Sequence, residues 1–269
     1  MEKNILDLSV ILPIKSAVVK DFDEIFERCI LSLKAQKVQF KDLIIVHTLE
    51  EQLVTKLNSY DFGDLNVVLV SYSETANYQS QINEGVKNST SKWVSFFEID
   101  DEYANIWFDN VQKYEQYYTD IDAFLPIVVD VDDKGGFAGF TNEATFAANF
   151  TQEMGFLTNE TLLNYQNFQS AGMVISREKF LEFGGFKPSF KLTFVYELLL
   201  RMTYNSLRIM TIPKLGYKHM TLREGSIFWN YKNGSEVLTE NEIRFWISAA
   251  KQEYFFTEDR NIKYELTNA

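Results

Sequence analysis

Three acidic residues, Glu98, Asp100 and Asp101, close the apolar run of residues 93–97. A short apolar run with aromatic residues and valine predicts a buried strand. Because side chains alternate along a strand, Glu98 and Asp100 are expected on one face. Two carboxylates at the end of a buried strand can share a divalent cation, and Mg²⁺ or Mn²⁺ keeps positions open for substrate phosphates. An acidic turn without chemistry explains this stretch alone equally well.

The composition restricts the classes of function. The chain has 269 residues, of which 46% are hydrophobic, and a formal net charge of -12. A nucleic acid is not expected as a partner, because binding its backbone needs basic patches. A nucleotide substrate stays compatible with this charge, because a metal can bridge its phosphates to carboxylates.

The chain shows no apolar segment at its amino terminus and no apolar run of ~18 residues, so we expect no signal peptide and no membrane span. This absence predicts a cytoplasmic protein. The single cysteine, Cys29, excludes an internal disulfide. Its position on the apolar side of a predicted helix indicates a packed thiol rather than a nucleophile.

Strands and helices alternate through the first half of the chain, which predicts a parallel sheet with helices on both faces. The first predicted helix carries its apolar residues at helical spacing and begins with a capping box of Asp21 and Glu24. No Gly-x-Gly-x-x-Gly and no Walker sequence occurs, which argues against a dinucleotide-binding domain or a P-loop enzyme. The predicted strands are residues 8–14, 43–47, 66–70 and 93–97, and the later helices of this half are residues 50–57 and 77–88.

The second half continues the alternation, except at residues 137–167, which have no clear period. We predict that they form a long excursion over the site. One domain is expected over residues 1–260, with a nucleotide-binding half of about residues 1–102 and an acceptor-side half of about residues 103–260. A loose tail of residues 261–269 would follow. The predicted elements are helices at 106–118, 177–183, 193–204 and 240–256 and strands at 123–131, 169–176 and 207–212.

Taken in order, these segments resemble the family 2 glycosyltransferases over about Leu8 to Ser226. The resemblance implies an α/β fold of GT-A type, with a mostly parallel central sheet and helices on both faces. No single segment identifies the family, but the occurrence of all of them in the family's order does indicate it. The segments that carry it are Ser9-Val-Ile-Leu-Pro13, Cys29-Ile-Leu-Ser-Leu33, Leu43-Ile-Ile-Val46, Asn83-Glu-Gly85, the strand ending at Asp101, Gly172-Met-Val-Ile-Ser-Arg177, Gly184-Gly-Phe186, Leu200-Arg201 and His219.

The resemblance also implies roles. The chain would move a sugar from a nucleoside diphosphate sugar, first of all a UDP-sugar, to a hydroxyl of a glycan or another acceptor, with inversion. Glu98-Ile-Asp100 falls at the family's Asp-x-Asp motif, so Asp100 and His219 would hold Mn²⁺ or Mg²⁺ at the diphosphate. Glu98 would face the ribose, the donor sugar or a metal-bound water. The remaining residues expected at the nucleotide are Pro13, Ile14, Lys15, His47, Asn83 and Arg223.

Three departures from the family pattern bear on activity. The second strand runs into His47 instead of an aspartate, so His47 either hydrogen-bonds the nucleotide in its place or is an inert residue at the strand end. The metal motif begins with Glu98 instead of an aspartate. In addition, Phe194 and Val195 stand where the family has Glu-Asp, whose aspartate is its catalytic base.

The missing base leaves two hypotheses open. Either Glu197, Glu143 or Glu153 serves as base, or the protein is a degenerate GT-A module with a binding or structural role. Glu197 could equally be a structural partner of Arg201 at i,i+4. A nucleotidyltransferase is disfavoured, because no glycine-rich, basic loop follows the first strand to hold a triphosphate.

Overall fold

The computed structural model describes residues 5–73, 75, 77–143, 155–221 and 223–265. Strands and helices alternate along most of this length. The strands are β1 (Ile5–Ile14), β2 (Gln39–His47), β3 (Val67–Ser71), β4 (Trp93–Phe96), β5 (Glu102–Tyr103), β6 (Ala123–Val131), β7 (Phe137–Thr141), β8 (Phe156–Leu157), β9 (Val174–Ser176) and β10 (Ile209–Met220). The helices are α1 (Phe22–Lys34), α2 (Glu51–Ser59), α3 (Tyr78–Asn88), α4 (Trp107–Tyr117), α5 (Asn159–Asn164), α6 (Arg177–Glu182), α7 (Phe194–Tyr204), α8 (Ile227–Asn233) and α9 (Glu240–Glu253).

The described strands join in one sheet of order β3-β2-β1-β4-β9-β6-β10-β5, with β7 added to β6 and β8 to β10. Parallel pairs link β1 to β2 and β4, β2 to β3, and β6 to β10. The short β9 is antiparallel to both β4 and β6, so these two strands run in the same direction. The long strands therefore end at one edge of the sheet, where ligands collect in open α/β folds.

Two hydrophobic clusters cover the two faces of the sheet. One contains residues of α1, α2 and α4, and the other residues of α3, α6, α7 and α9. This arrangement confirms the predicted helices on both faces. The apolar stripe predicted for α1 is also confirmed, since all of its residues are buried: Phe22, Ile25, Phe26, Cys29, Ile30 and Leu33.

Some elements differ from the sequence expectations. Asp21 precedes α1 with a φ of 58° and makes no side-chain cap, so the predicted capping box is wrong. The strand expected at residues 207–212 extends to Met220. Its second part breaks register with β6 twice, after Ile212 and after Leu215. These irregularities remove the period of two that would have marked the extension as a strand.

The region expected as a long excursion contains β7, β8 and α5, while residues 144–154 lie outside the described part of the chain. At the carboxyl terminus, Ile262 and Tyr264 pack against the second hydrophobic cluster. These two side chains of the predicted loose tail are therefore in contact with the core. Among the described helices, none combines the length and the apolar composition that crossing a bilayer requires.

Candidate active site

The acidic residues after β4 lie in a turn rather than on a strand. β4 ends at Phe96, and the backbone N–H of Asp101 donates to the carbonyl of Glu98 at 3.2 Å. Strand alternation therefore does not apply to Glu98 and Asp100. Buried side chains hold the turn from beneath: the Tyr217 hydroxyl accepts from the Glu98 N–H at 3.2 Å, and the Cys29 thiol lies 3.9 Å from the Glu98 carbonyl.

Asp101 and His219 meet across the edge of the sheet. β5 pairs antiparallel with β10, with Glu102 opposite Lys218, and the same register continues to Asp101 and His219. Nδ1 of His219 lies 3.0 Å from a carboxylate oxygen of Asp101, and the N–H of Met220 donates to Asp101 at 2.8 Å. Ligand atoms of Glu98, Asp101 and His219 all lie within 4.8 Å of one another. We call these three residues the acid–histidine group.

Asp100 lies beside this group but has a different partner. Nε of Arg223 donates to its carboxylate at 2.6 Å. The side chain of Asp100 is only 6% exposed and that of Arg223 15% exposed, so solvent screens the pair weakly. Arg223 also donates to the carbonyl of Glu224, which fixes the direction of the guanidinium. Asp100 therefore neutralises an arginine here, and its predicted role as metal ligand stays a prediction.

Burial and the crowding of acids shift the pKa values of Glu98, Asp100 and His219. Burial, together with the charges of Asp101 and Asp100, raises the pKa of Glu98 to about 8, although His219 and Arg223 act against this rise. Burial disfavours the charged form of His219, but the nearby carboxylates, first that of Asp101, outweigh burial and raise its pKa to about 10. Burial and Asp101 likewise raise the pKa of Asp100. These three groups therefore hold their protons more tightly than usual, as expected where negative charge is concentrated and a cation would be stabilised.

A cavity of about 310 Å³ opens next to the acid–histidine group, with Glu98 and His219 in its wall. Most of the rest of the wall is apolar and comes from the β8–β9 segment, α8, α9 and the start of α7. Val195 lines this cavity, at the position where the family pattern would place the base. Glu98 is the only carboxylate in the described wall, which is formed by Tyr78, Glu98, Gln166, Phe168, Gln169, Ser170, Ala171, Leu192, Thr193, Phe194, Val195, Tyr196, His219, Phe228 and Ile247.

The predicted nucleotide residues of β1 and β2 lie together at the carboxyl edge of the sheet. Nδ1 of His47 lies 2.7 Å from the carbonyl of Thr48, and the Thr48 hydroxyl donates to the carbonyl of Lys15 at 2.7 Å. The side chain of Ile14 is buried in the core, whereas Lys15 is exposed and Pro13 half-buried. These contacts rigidify the edge, and the nucleotide-binding role of its residues stays a prediction.

The structure does not place Glu197 at the site. Its side chain is fully buried and forms ion pairs with Arg201 at 2.8 Å and with Lys187 at 2.9 Å. It is absent from the described wall of the cavity. We therefore do not carry Glu197 forward as the base; Glu143 follows β7 at a half-buried position, and Glu153 lies outside the described residues.

Asn83, expected at the nucleotide, also has structural partners. Its amide donates to the carbonyl of Phe186 at 2.7 Å and accepts from the Phe186 N–H at 2.9 Å. This pair of hydrogen bonds pins the Gly184-Gly185 turn to α3. The described contacts therefore explain Asn83 without a ligand.

Sequence reasoning assigned no role to Asp101 or Tyr217, although both shape the site. The doublet Asp100-Asp101 was visible, but a period of two favours Glu98 and Asp100 and passes over the second acid. Tyr217 lies on the irregular part of β10, where the sequence shows no regular alternation that would have marked it as part of a strand. Only the pairing of β5 with β10 brings Asp101 to the histidine.

The fold is that of the GT-A glycosyltransferases. Residues 1–349 of S. aureus TarS in complex with UDP-GlcNAc align with this chain at 16% identity and a TM-score of 0.64, covering 82% of this chain and 60% of that one. The TarS 1–349 structure without a named ligand aligns at 16% identity and a TM-score of 0.59, covering 97% and 75%. Another S. aureus TarS structure aligns at 15% identity and a TM-score of 0.58, covering 96% and 46%.

The first TarS alignment thus extends over less than two thirds of the TarS chain. No protein-family model and no curated protein sequence matches this chain. At such low identity the likeness establishes the fold alone. The predicted α/β architecture of GT-A type is confirmed, whereas membership of family 2 stays a prediction.

Proposed function

We propose that this protein binds a nucleoside diphosphate sugar at the carboxyl edge of the sheet and transfers the sugar to a hydroxyl group. The observation that carries the proposal is the acid–histidine group beside a cavity, at the edge where open α/β sheets bind their ligands. The TarS structure with UDP-GlcNAc supports a UDP-sugar as the first donor to test. A glycan or another hydroxyl compound would be the acceptor.

The donor atoms of the acid–histidine group fit a divalent metal. A carboxylate and an imidazole within 4.8 Å of each other form a mixed oxygen and nitrogen set. Mg²⁺ prefers oxygen ligands alone, so this set favours Mn²⁺ over Mg²⁺. Glu98 and His219 would hold the ion, and Asp100 would join them once Arg223 turns to the diphosphate.

Transfer of the sugar requires that the leaving nucleoside diphosphate be stabilised. A bound cation supplies electrostatic stabilisation as a nucleoside diphosphate departs with growing negative charge. Arg223 adds a second positive charge on the same side. An inverting transfer also needs a base for the acceptor hydroxyl. The described wall of the cavity offers Glu98 as its single carboxylate, and that group is committed to the ion.

This shortage of bases favours a second candidate function. Val195 stands in the cavity where the resemblance implies a catalytic aspartate. A module that binds a sugar nucleotide without transferring the sugar would keep the acid–histidine group and lose the base. Both candidate functions predict binding of a sugar nucleotide, and only the transferase predicts transfer of the sugar.

Titration calorimetry with UDP, with and without Mn²⁺, tests the shared step. We expect Mn²⁺-dependent binding of UDP that Asp100→Asn weakens at least about tenfold, because loss of a metal-site carboxylate has effects of this size. Asp133→Asn, in an exposed turn, is the matched control and should bind as the wild type does.

The outcomes separate the candidates. Binding with turnover of a UDP-sugar supports the transferase, and binding without turnover supports the module. No binding of UDP contradicts both. If Asp100→Asn binds and turns over a UDP-sugar like the wild type, the predicted metal role of Asp100 is wrong.

Replacing Arg223 is expected to change the affinities for Mn²⁺ and for UDP in opposite directions. In Arg223→Met, Asp100 loses its cation partner, so Mn²⁺ without nucleotide should bind about fivefold more tightly. UDP in the presence of saturating Mn²⁺ should bind about fivefold more weakly, because the guanidinium no longer reaches the diphosphate. Both affinities are measured by calorimetry.

Arg208→Met, which removes an exposed arginine paired with Asp120, is the control and should change neither affinity. If both affinities move in the same direction in Arg223→Met, Arg223 does not exchange between Asp100 and the phosphates.

A further inference from the structure

Asp101 is fully committed to protein partners. It is 1% exposed, and its Oδ1 accepts from the N–H of Met220 at 2.8 Å. Its two oxygens lie 3.2 and 3.0 Å from Nδ1 of His219. An ionised carboxylate only accepts hydrogen bonds, so Nδ1 must carry the proton in this contact. His219 lies in the cavity wall, and Nε2 is then the ring nitrogen that can exchange its proton for a cation.

We propose that Asp101 is a positioning residue that keeps Nδ1 of His219 protonated, so that Nε2 is the ring nitrogen that binds a divalent cation together with Glu98. This inference rests on the proposed function and assigns parts within its metal site. Carboxylates commonly orient metal-binding histidines through the ring nitrogen that does not bind the metal. Asp101 acts through His219 and does not itself contact the ion.

Distance alone would suggest a different assignment. Asp101 lies within 4.8 Å of the ligand atoms of Glu98 and His219, close enough to count as a third ligand. Direct ligation would draw the carboxylate away from the N–H of Met220 and from His219. A donor left without a partner loses its hydrogen bond, so the existing hydrogen bonds oppose this move.

The fold makes the orientation rigid. β5 and β10 pair antiparallel with Tyr103 opposite Tyr217, and these two rings pack 5.0 Å apart at right angles beneath the turn. The pair of Glu102 and Lys218, joined at 2.8 Å, extends the ladder to the position next to Asp101 and His219. On the other side of β10, the register with β6 places Asp130 opposite His219. Asp130 accepts a hydrogen bond from Gln169, so a second carboxylate near the ring has a partner of its own.

The chain suits a direct test, because it contains two histidines, His47 and His219. Long-range ¹H–¹⁵N spectra of the imidazole rings report which nitrogen is protonated, and His47→Gln assigns the signals. On addition of Zn²⁺, a diamagnetic ion that imidazole nitrogen binds well, we expect the His219 signals to show Nδ1 protonated and Nε2 perturbed. A spectrum in which the ion perturbs Nδ1 overturns the proposal in the wild-type protein.

The variant Asp101→Asn adds an affinity measurement. Its amide can donate to Nδ1 and so favours the wrong tautomer. We expect Mn²⁺ affinity, followed by electron paramagnetic resonance without nucleotide, to fall about 10–100-fold, with Nδ1 no longer protonated in the ring spectra. Glu102→Gln, an acid on the same segment, is the matched control and should stay within about twofold of the wild type, since its partner Lys218 is solvent-exposed.

Each result bears on the proposal. Unchanged Mn²⁺ affinity in Asp101→Asn overturns it. A loss of affinity in which Nδ1 stays protonated and Zn²⁺ still perturbs Nε2 overturns it too, because Asp101 would then be a direct ligand. Absence of Mn²⁺ binding to the wild-type chain overturns it as well. Failure of UDP to bind leaves the metal measurements standing and counts against the proposed function alone. Should Asp101→Asn not fold, the wild-type spectra decide.

Discussion

Replacing Glu197 with alanine is expected to lower the free energy of unfolding by about 3–5 kcal/mol, measured by urea denaturation. Glu197 is the only carboxylate that contacts both Lys187 and Arg201 in the described structure, and all three side chains are at most 1% exposed. Without it, two positive charges stay buried with no opposite charge beside them. Removing one partner of a buried ion pair is costly for this reason.

This ion-pair network joins parts of the chain that are distant in sequence. Arg201 donates from α7 to the carbonyls of Phe183 and Gly185, and Lys187 donates to the carbonyl of Glu253 at the end of α9. The turn between these groups is tight, because a Cβ on Gly184 would lie 2.3 Å from the carbonyl oxygen of Thr257. Loss of Glu197 would therefore loosen α7 and α9 together.

Glu182→Ala is the control for this prediction. Glu182 is half exposed and pairs with Lys179 at i,i+3, so its removal should cost no more than about 1 kcal/mol. A base role for Glu197 predicts a different pattern, in which sugar transfer is lost at unchanged stability. If Glu197→Ala unfolds at the same urea concentration as the wild type, the structural assignment is wrong and the base hypothesis returns.

The sequence predicted well those elements whose contact with the core is continuous along the element and therefore leaves a regular apolar pattern. β1 and β2 are near-continuous apolar runs, because both faces of a parallel sheet are covered. The stripe of α1 is regular because one face of the helix meets the core along its whole length. Such patterns need no knowledge of partners, and together they suffice for the order of strands and helices that defines the fold.

The parts of the site that sequence missed depend on partners that no local pattern reveals. Asp101 gains its role through the register of β5, a strand of two residues, against β10. The i,i+4 pairing of Glu197 with Arg201 could be foreseen from helix geometry. The contact with Lys187 could not, because that residue comes from a turn ten positions earlier, and it is this second cation that commits Glu197 to the core.

If the family pattern applies to this chain, a carboxylate at the start of α7 would distinguish an active transferase from a binding module. Val195 is a half-buried residue in the first turn of α7 and lines the cavity with Glu98 and His219. A carboxylate is favoured in the first turn of a helix by the peptide dipoles, so the fold should tolerate aspartate there. The larger neighbour Phe194 is buried in the core and is a poorer place for a charge.

We expect Val195→Asp to raise the rate of UDP release from a UDP-sugar, with water as acceptor and Mn²⁺ present, by about 10²-fold or more. The new carboxylate would accept the proton of the attacking hydroxyl, a step for which the described cavity wall of the wild type has no uncommitted group. Val195→Asn matches the side chain in size and cannot act as a base, so its rate should equal that of the wild type. Equal rates in the aspartate and asparagine variants would show that the base is supplied from another part of the chain. A wild-type rate already at the level of Val195→Asp would show that the apolar start of α7 does not limit catalysis.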